Sequence, residues 1–228
     1  MKHYAVKINR EEALRYLGYG GQQPDAMVSK QLDEMTELLE NISAPAYTYN
    51  ICGLKRETPD TFRLQGTSIT LTGTTASSFL TGCRSCIMMA VTIGSRIDGE
   101  LRRRQIMDMA GAVILDSCAS SAVESICEQL EEDLEKTFNR KHAFLTDRFS
   151  PGYGDLPLSL QPEICRALSA EKRIGLSVSG GMLLMPSKSV TAFIGISDRP
   201  QPKQIRGCGS CSMNQSCEYR KAGITCAE

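Results

Sequence analysis

Residues Cys86 to Gly94, CIMMAVTIG, form a continuous apolar run closed by a glycine. Such a run suits a strand that is buried on both faces, and a strand of that kind needs cover on each side of its sheet. The rest of the chain supplies the cover. NREEALRYLGY and PDAMVSKQLDEMTELLENIS have helical spacing, with Leu32, Met35, Leu38 and Leu39 in one stripe. Pro24 suits a first turn, and Ser43 and Pro45 lie near the stop. A long helical stretch is predicted from Ser95 to about Asn139, with Gly111 read as a packing position rather than a break.

AYTYNICGL alternates like a strand, and FRLQGTSITLTG reads as a strand pair bounded by glycine. TTASSFLTGC is expected to be a short helix capped by Thr74 or Thr75. QPEICRALSAEKRIG reads as one helix, and LSVSGGMLLMPSKSVTAFIGIS as a hairpin turning at Pro186-Ser187-Lys188. The expected fold is α/β (α+β), a mostly antiparallel twisted sheet flanked by helices. It occupies residues 1–200 and is followed by a cysteine-rich tail over 201–228.

Formal net charge is zero across 228 residues, which removes the electrostatic case for nucleic acid or an acidic membrane surface. LRRR, from Leu101 to Arg104, is the one tight basic run and reads as a solvated face. No stretch of eighteen apolar residues occurs, and MKHYAVKINREEAL lacks the apolar segment of a secretory signal. The expected location is therefore the cytoplasm. In that reducing setting ten cysteines read as thiols, metal ligands or redox groups rather than structural disulfides.

Cys208, Cys211, Cys217 and Cys226 follow C-x2-C-x5-C-x8-C among glycines that allow tight turns. Four thiolates so close together can wrap one zinc ion or an iron–sulfur cluster, and spacing alone leaves both open, with four free thiols as the third alternative. Cys83 and Cys86 form CRSC at the entry to the apolar strand and read as two structural cysteines. Cys52, Cys118, Cys127 and Cys165 lie singly on apolar faces as small hydrophobes.

The segment TDRFSPGYGDLP places chemistry beside a rigid turn. Pro151 fixes φ, and Gly152 and Gly154 permit positive φ. A preformed turn offers backbone donors and acceptors to a ligand at low entropic cost. Arg148 can clamp a carboxylate in bidentate fashion, Tyr153 brings a ring and a hydroxyl, and Asp155 can accept from an amine or hydroxyl. Together they suit a zwitterionic ligand with an aromatic part; the plain alternative is a surface turn with a rim salt bridge.

Arg148-x-x-Pro151-Gly152-Tyr153 resembles the signature of the activation (reactivation) domain of cobalamin-dependent methionine synthase. MMAVTIGSRIDGEL, the helix ILDSCASSAVESICEQLEEDL, the motif, a helix and LSVSGGMLLMPSKS follow in a similar order, and the resemblance covers about Ser68 to Ser197. Residues 1–50 match loosely and the cysteine tail lies outside it. The resemblance implies binding of S-adenosylmethionine. Arg148 would hold the methionine carboxylate, backbone near Ser150 and the Pro151-Gly152 turn would meet the adenine, Tyr153 would line the pocket, and Glu124 would be an acid close to the ligand. The chain departs from the family at Gly154-Asp155-Leu156-Pro157, and at Val190 and Thr191, where the family has an aromatic pair.

The resemblance further implies reactivation of cob(II)alamin carried by a separate methionine synthase subunit lacking its own activation domain. A ferredoxin or flavodoxin is the candidate electron donor. Two other classes stay open: an iron–sulfur electron-transfer or scaffold module for a corrinoid protein, and a small-molecule S-adenosylmethionine-dependent methyltransferase. The second lacks the glycine-rich strand-to-helix loop such enzymes usually carry.

Overall fold

The structure, a computed structural model, describes residues 2–19 and 22–201. It is a mixed α/β fold with a large antiparallel sheet, as expected. In chain order the elements are α1 (Arg10–Tyr16), α2 (Ala26–Ile42), β1 (Ala46–Thr58), β2 (Thr61–Leu64), β3 (Thr70–Thr72), α3 (Thr74–Leu80) and β4 (Cys83–Thr92). Then come α4 (Arg96–Met107), α5 (Met109–Asn139), β5 (Phe144–Leu145), α6 (Gln161–Leu168), α7 (Ala170–Ile174), β6 (Ser177–Val178), β7 (Leu184–Met185) and β8 (Ser189–Ser197). The main sheet has the order β3-β2-β1-β4-β8-β5, and β6 and β7 form a separate pair. Pairing is antiparallel at β1–β2, β2–β3 and β5–β8, with Phe62 opposite Leu71 and Leu145 opposite Ile196. The apolar run of β4 is buried from Cys86 onward, as its composition requires.

The chain divides into two compact units. The first comprises Met1–Thr48, Val91–Glu132 and Ala170–Val190. Here α2 is capped by Asp25, which accepts from the Val28 N–H at 2.8 Å, and buries Leu32, Met35 and Leu39. Pro24 therefore precedes the cap rather than sitting in the first turn. Asn9 caps α1 and donates its own backbone N–H to Ser121 Oγ on α5 at 2.9 Å. Lys188 is nearly buried, with its Nζ 2.8 Å from Asp116 and 2.9 Å from Ser120 Oγ.

The single helix expected from Ser95 to Asn139 is two helices. Asp108 leaves the helical region at φ −155°, ψ 84° and its carboxylate accepts from the Gly111 N–H at 3.0 Å, starting α5. A Cβ on Gly111 would collide with that carboxylate, so the glycine permits the new cap instead of close helix packing. α5 is long and apolar enough to cross a membrane by composition, but 67% of its apolar window is buried inside the protein, which is the behaviour of a core helix.

The second unit comprises Tyr49–Ala90, Asp133–Ser169 and the chain from Thr191 onward. Asn50 on β1 donates to the Ala167 carbonyl at 3.2 Å, fixing the end of α6. The expected helix over 161–175 breaks at Ser169, which adopts φ 50°, ψ 41° and separates α6 from α7. The hairpin expected to turn at Pro186-Ser187-Lys188 is displaced too. β6 and β7 close around residues 179–183, where the Ser179 N–H reaches the Leu183 carbonyl, while β8 joins the main sheet. The pair of glycines at 180 and 181 was the stronger turn signal.

Candidate functional site

The segment that carries Arg148 enters from β5, and β5 is an edge strand held by β8. Pairing continues past the strand: Phe149 forms a two-way bridge with Phe193, with N–H to carbonyl distances of 3.0 and 2.8 Å. Phe149 is 1% exposed. Its ring stacks on Phe79 of α3 at 4.8 Å and 15°, and lies 5.7 Å from Phe193. Successive side chains of extended backbone alternate sides, so the burial of Phe149 sends Arg148 and Ser150 the other way. Arg148 is half-buried.

After Ser150 the chain makes the expected tight turn. Gly152 takes φ 93° and Gly154 φ 57°. The Gly152 N–H donates to the Leu156 carbonyl at 2.7 Å, and the Tyr153 N–H to the Ser150 carbonyl at 3.0 Å. Tyr153 packs edge-on against Phe79 at 6.5 Å, which orients its ring. Pro151 is buried and Gly152 exposed, so the turn stands with an open backbone on a fixed base.

Asp155 is already engaged within the protein. Its carboxylate accepts from the Thr74 N–H (2.6 Å), the Thr74 hydroxyl (2.8 Å) and the Thr75 N–H (2.9 Å), so it caps α3 from across the unit. Its own N–H donates to Thr75 Oγ1 at 3.2 Å. Neither Thr74 nor Thr75 caps the helix; the capping position belongs to Gly73. The approach is so close that a Cβ on Gly154 would strike Thr75 Oγ1. The hydrogen bonds from Thr75, then those from Thr74, hold the Asp155 carboxyl well below the usual carboxylate range.

A lowered carboxyl pKa stabilises the fold above the ordinary value of about 3.9, and that contribution is lost as pH falls through the folded-state value. Asp155→Asn should therefore lower stability by about 0.5–1 kcal/mol at neutral pH, the low end for a helix cap because the group is exposed. Urea denaturation of both proteins should show a constant difference from pH 8 to about 4 that shrinks below it. A difference that grows in acid would contradict the cap.

Glu124 lies half-buried on α5, in the first unit. Its charge acts on Tyr16 of α1, whose hydroxyl also donates to Glu12 at 3.0 Å. Burial, then Glu12, then Glu124 push the Tyr16 phenol up to about 12. Glu128 is exposed. Arg148, Ser150, Pro151, Gly152 and Tyr153 share one loop of the second unit.

Val190 is half-buried at the start of β8. Thr191 is 2% exposed, and its Oγ1 finds no partner among the described residues. Cys52, Cys118, Cys127 and Cys165 are buried cysteines outside any disulfide, as read from the sequence. Burial pushes the Cys118 and Cys165 thiols up to about 11 and makes them poor nucleophiles. Cys83 and Cys86 are also outside any disulfide, and burial raises both. They stand three apart on β4, hence on opposite faces, and cannot jointly hold one ion. No group of three or more His, Cys, Asp or Glu side chains able to hold a metal occurs among the described residues. Cys208, Cys211, Cys217 and Cys226 lie outside them.

No family model matches this chain, and no curated protein matches it. Among solved structures it is similar to the crystal structure of the MetH reactivation domain bound to AdoHcy, with 14% identity, a TM-score of 0.62, and 97% of this chain and 89% of that chain covered. At that identity the likeness is one of fold: this chain has the fold of the MetH reactivation domain.

Proposed function

We propose that this protein binds S-adenosylmethionine through the loop Arg148 to Tyr153 and supports reactivation of cob(II)alamin on a separate corrinoid methionine synthase. The carrying observation is the fold likeness to a reactivation domain bound to AdoHcy, over 97% of this chain. AdoHcy is what S-adenosylmethionine becomes once its methyl group has left. The loop agrees with that reading: a half-buried guanidinium precedes a turn whose Gly152 backbone is open to solvent. Arg148 would grip the ligand carboxylate, the backbone from Ser150 through Pro151 and Gly152 would meet the adenine, and Tyr153 would wall the pocket.

In the reaction, one electron from a ferredoxin- or flavodoxin-type donor converts Co(II) to Co(I). Co(I) then attacks the sulfonium methyl, giving methyl-Co(III) and S-adenosylhomocysteine. Reduction is uphill and methyl transfer draws it forward. The protein's part is to hold and orient the methyl donor. Calorimetric titration with S-adenosylmethionine should show one saturable site per chain, with S-adenosylhomocysteine competing. Absence of any heat or competition at millimolar ligand would overturn the reading. Extract pull-down with the full chain should recover a methionine synthase lacking an activation domain.

The tail is proposed to hold one zinc ion or an iron–sulfur cluster on Cys208, Cys211, Cys217 and Cys226. Anaerobically purified protein should carry about one Zn or up to about four Fe per chain. Cys211→Ser should lose most of the metal and Cys118→Ser none. Full retention after replacing both Cys208 and Cys211 by Ser would rule the site out.

A further inference from the structure

The chain preceding α1, the start of β1 and the end of α7 line a half-open pocket of about 200 Å3 in the first unit. The loop Arg148 to Tyr153, in the second unit, contributes nothing to it. Its aromatic wall is Tyr4 and Tyr47, whose rings lie 5.0 Å apart at 33°. The Tyr47 hydroxyl accepts the Lys2 backbone N–H at 3.1 Å and so fastens the leading segment over β1. Among the described residues the polar lining is basic or phenolic: Lys2, His3 and Arg173 line the pocket, and no carboxylate does.

Arg173 is held ready. Its Nη1 donates to Thr48 Oγ1 at 3.0 Å, and Thr48 is only 5% exposed. That bond uses one of five guanidinium N–H donors, and among the described residues Arg173 forms no ion pair. His3 likewise has no acidic partner there. A fixed, unneutralised guanidinium beside a lysine and an imidazole favours an anion. Two tyrosine rings in the same cavity favour a flat apolar group.

We propose that this cavity is a second ligand site, taking a small single-ring phosphate monoester. A guanidinium with four donors still to place, in a lining of basic groups, fits a phosphate, with up to two charges, better than a carboxylate. The volume, below the roughly 300–1,000 Å3 that encloses a drug-sized ligand, limits the organic part to about one ring. The site is independent of the S-adenosylmethionine reading.

The test is calorimetric titration of the full chain with phenyl phosphate, benzoate, inorganic phosphate and phenol. Phenyl phosphate should bind with Kd below about 1 mM and at least tenfold more tightly than phosphate or phenol; benzoate should fall between. Arg173→Gln removes the charge at an exposed position, and Lys2→Gln does the same at the leading segment. Each should weaken phenyl phosphate about tenfold while leaving the fold, read by circular dichroism, and S-adenosylmethionine binding unchanged. Saturating S-adenosylmethionine should not compete. The site is overturned if phenyl phosphate binds no better than inorganic phosphate, if Arg173→Gln binds it as well as the parent, or if S-adenosylmethionine displaces it. Failure of S-adenosylmethionine to bind at all would leave this result standing and count only against the proposed function.

Discussion

Arg148→Ala should weaken S-adenosylmethionine binding about ten- to a hundredfold and leave the protein folded. Phe149 is the anchor of this segment, bridged to Phe193 and stacked on Phe79. The backbone that presents Arg148 therefore survives truncation of the side chain. A charge-assisted bidentate pair with a carboxylate is worth roughly 1.5–3 kcal/mol, which sets the expected loss. Arg148→Lys should recover only part, because an ammonium cannot form the planar fork. Decarboxylated S-adenosylmethionine separates a ligand contact from a general weakening. The parent protein should bind it poorly, and the Ala variant should no longer distinguish it from the intact ligand. A variant that keeps the full preference for the carboxylate would make Arg148 a rim residue.

Phe149→Ala should be strongly destabilising. The side chain is 1% exposed and sits between the Phe79 and Phe193 rings, both buried, so little can collapse into the space it leaves. Phe to Ala in such a site costs about 3–5 kcal/mol, or roughly 6–20 °C in melting temperature for a chain of this size. Phe149→Leu, which keeps most of the volume, should cost clearly less. The loss should also appear as faster amide exchange from Thr146 to Leu156, because that segment has its base on this aromatic cluster. A drop of only a degree or two, with unchanged exchange, would refute the anchoring role.

The fold was legible wherever one period of hydrophobicity decided the element. The apolar run closed by Gly94 suits a buried strand and is one as far as Thr92, and the α2 stripe buried three of its four members, with Leu38 left half-exposed. It was illegible where a single side chain overrode propensity. Asp108 interrupts an otherwise helical stretch by turning its carboxylate to the next helix start, and Ser169 does so by entering the left-handed region. Neither residue announces this in its local pattern. At the loop, the residue types carried the turn correctly, but Asp155 was misread. Its partners, Thr74 and Thr75, lie about eighty positions away, and only the folded chain shows that this acid is already engaged. The two tyrosines and Arg173 of the basic pocket come from three distant segments, so no spacing could have joined them.

The place of β8 has a consequence for how the molecule is made. This strand lies between β4 and β5, and among the described residues β5 has no other neighbour in the sheet. During synthesis the segment carrying Arg148 emerges some forty residues before the strand that will hold it. Until Ser197 has left the ribosome, Phe149 lacks its bridge to Phe193 and the turn after it has no base. Such non-local closure is slow, and in the interval the apolar edge of β4 is open to wrong partners. Nascent chains halted before residue 189 should thus be bound by chaperones and unable to retain ligand, and chains released past 197 should be competent.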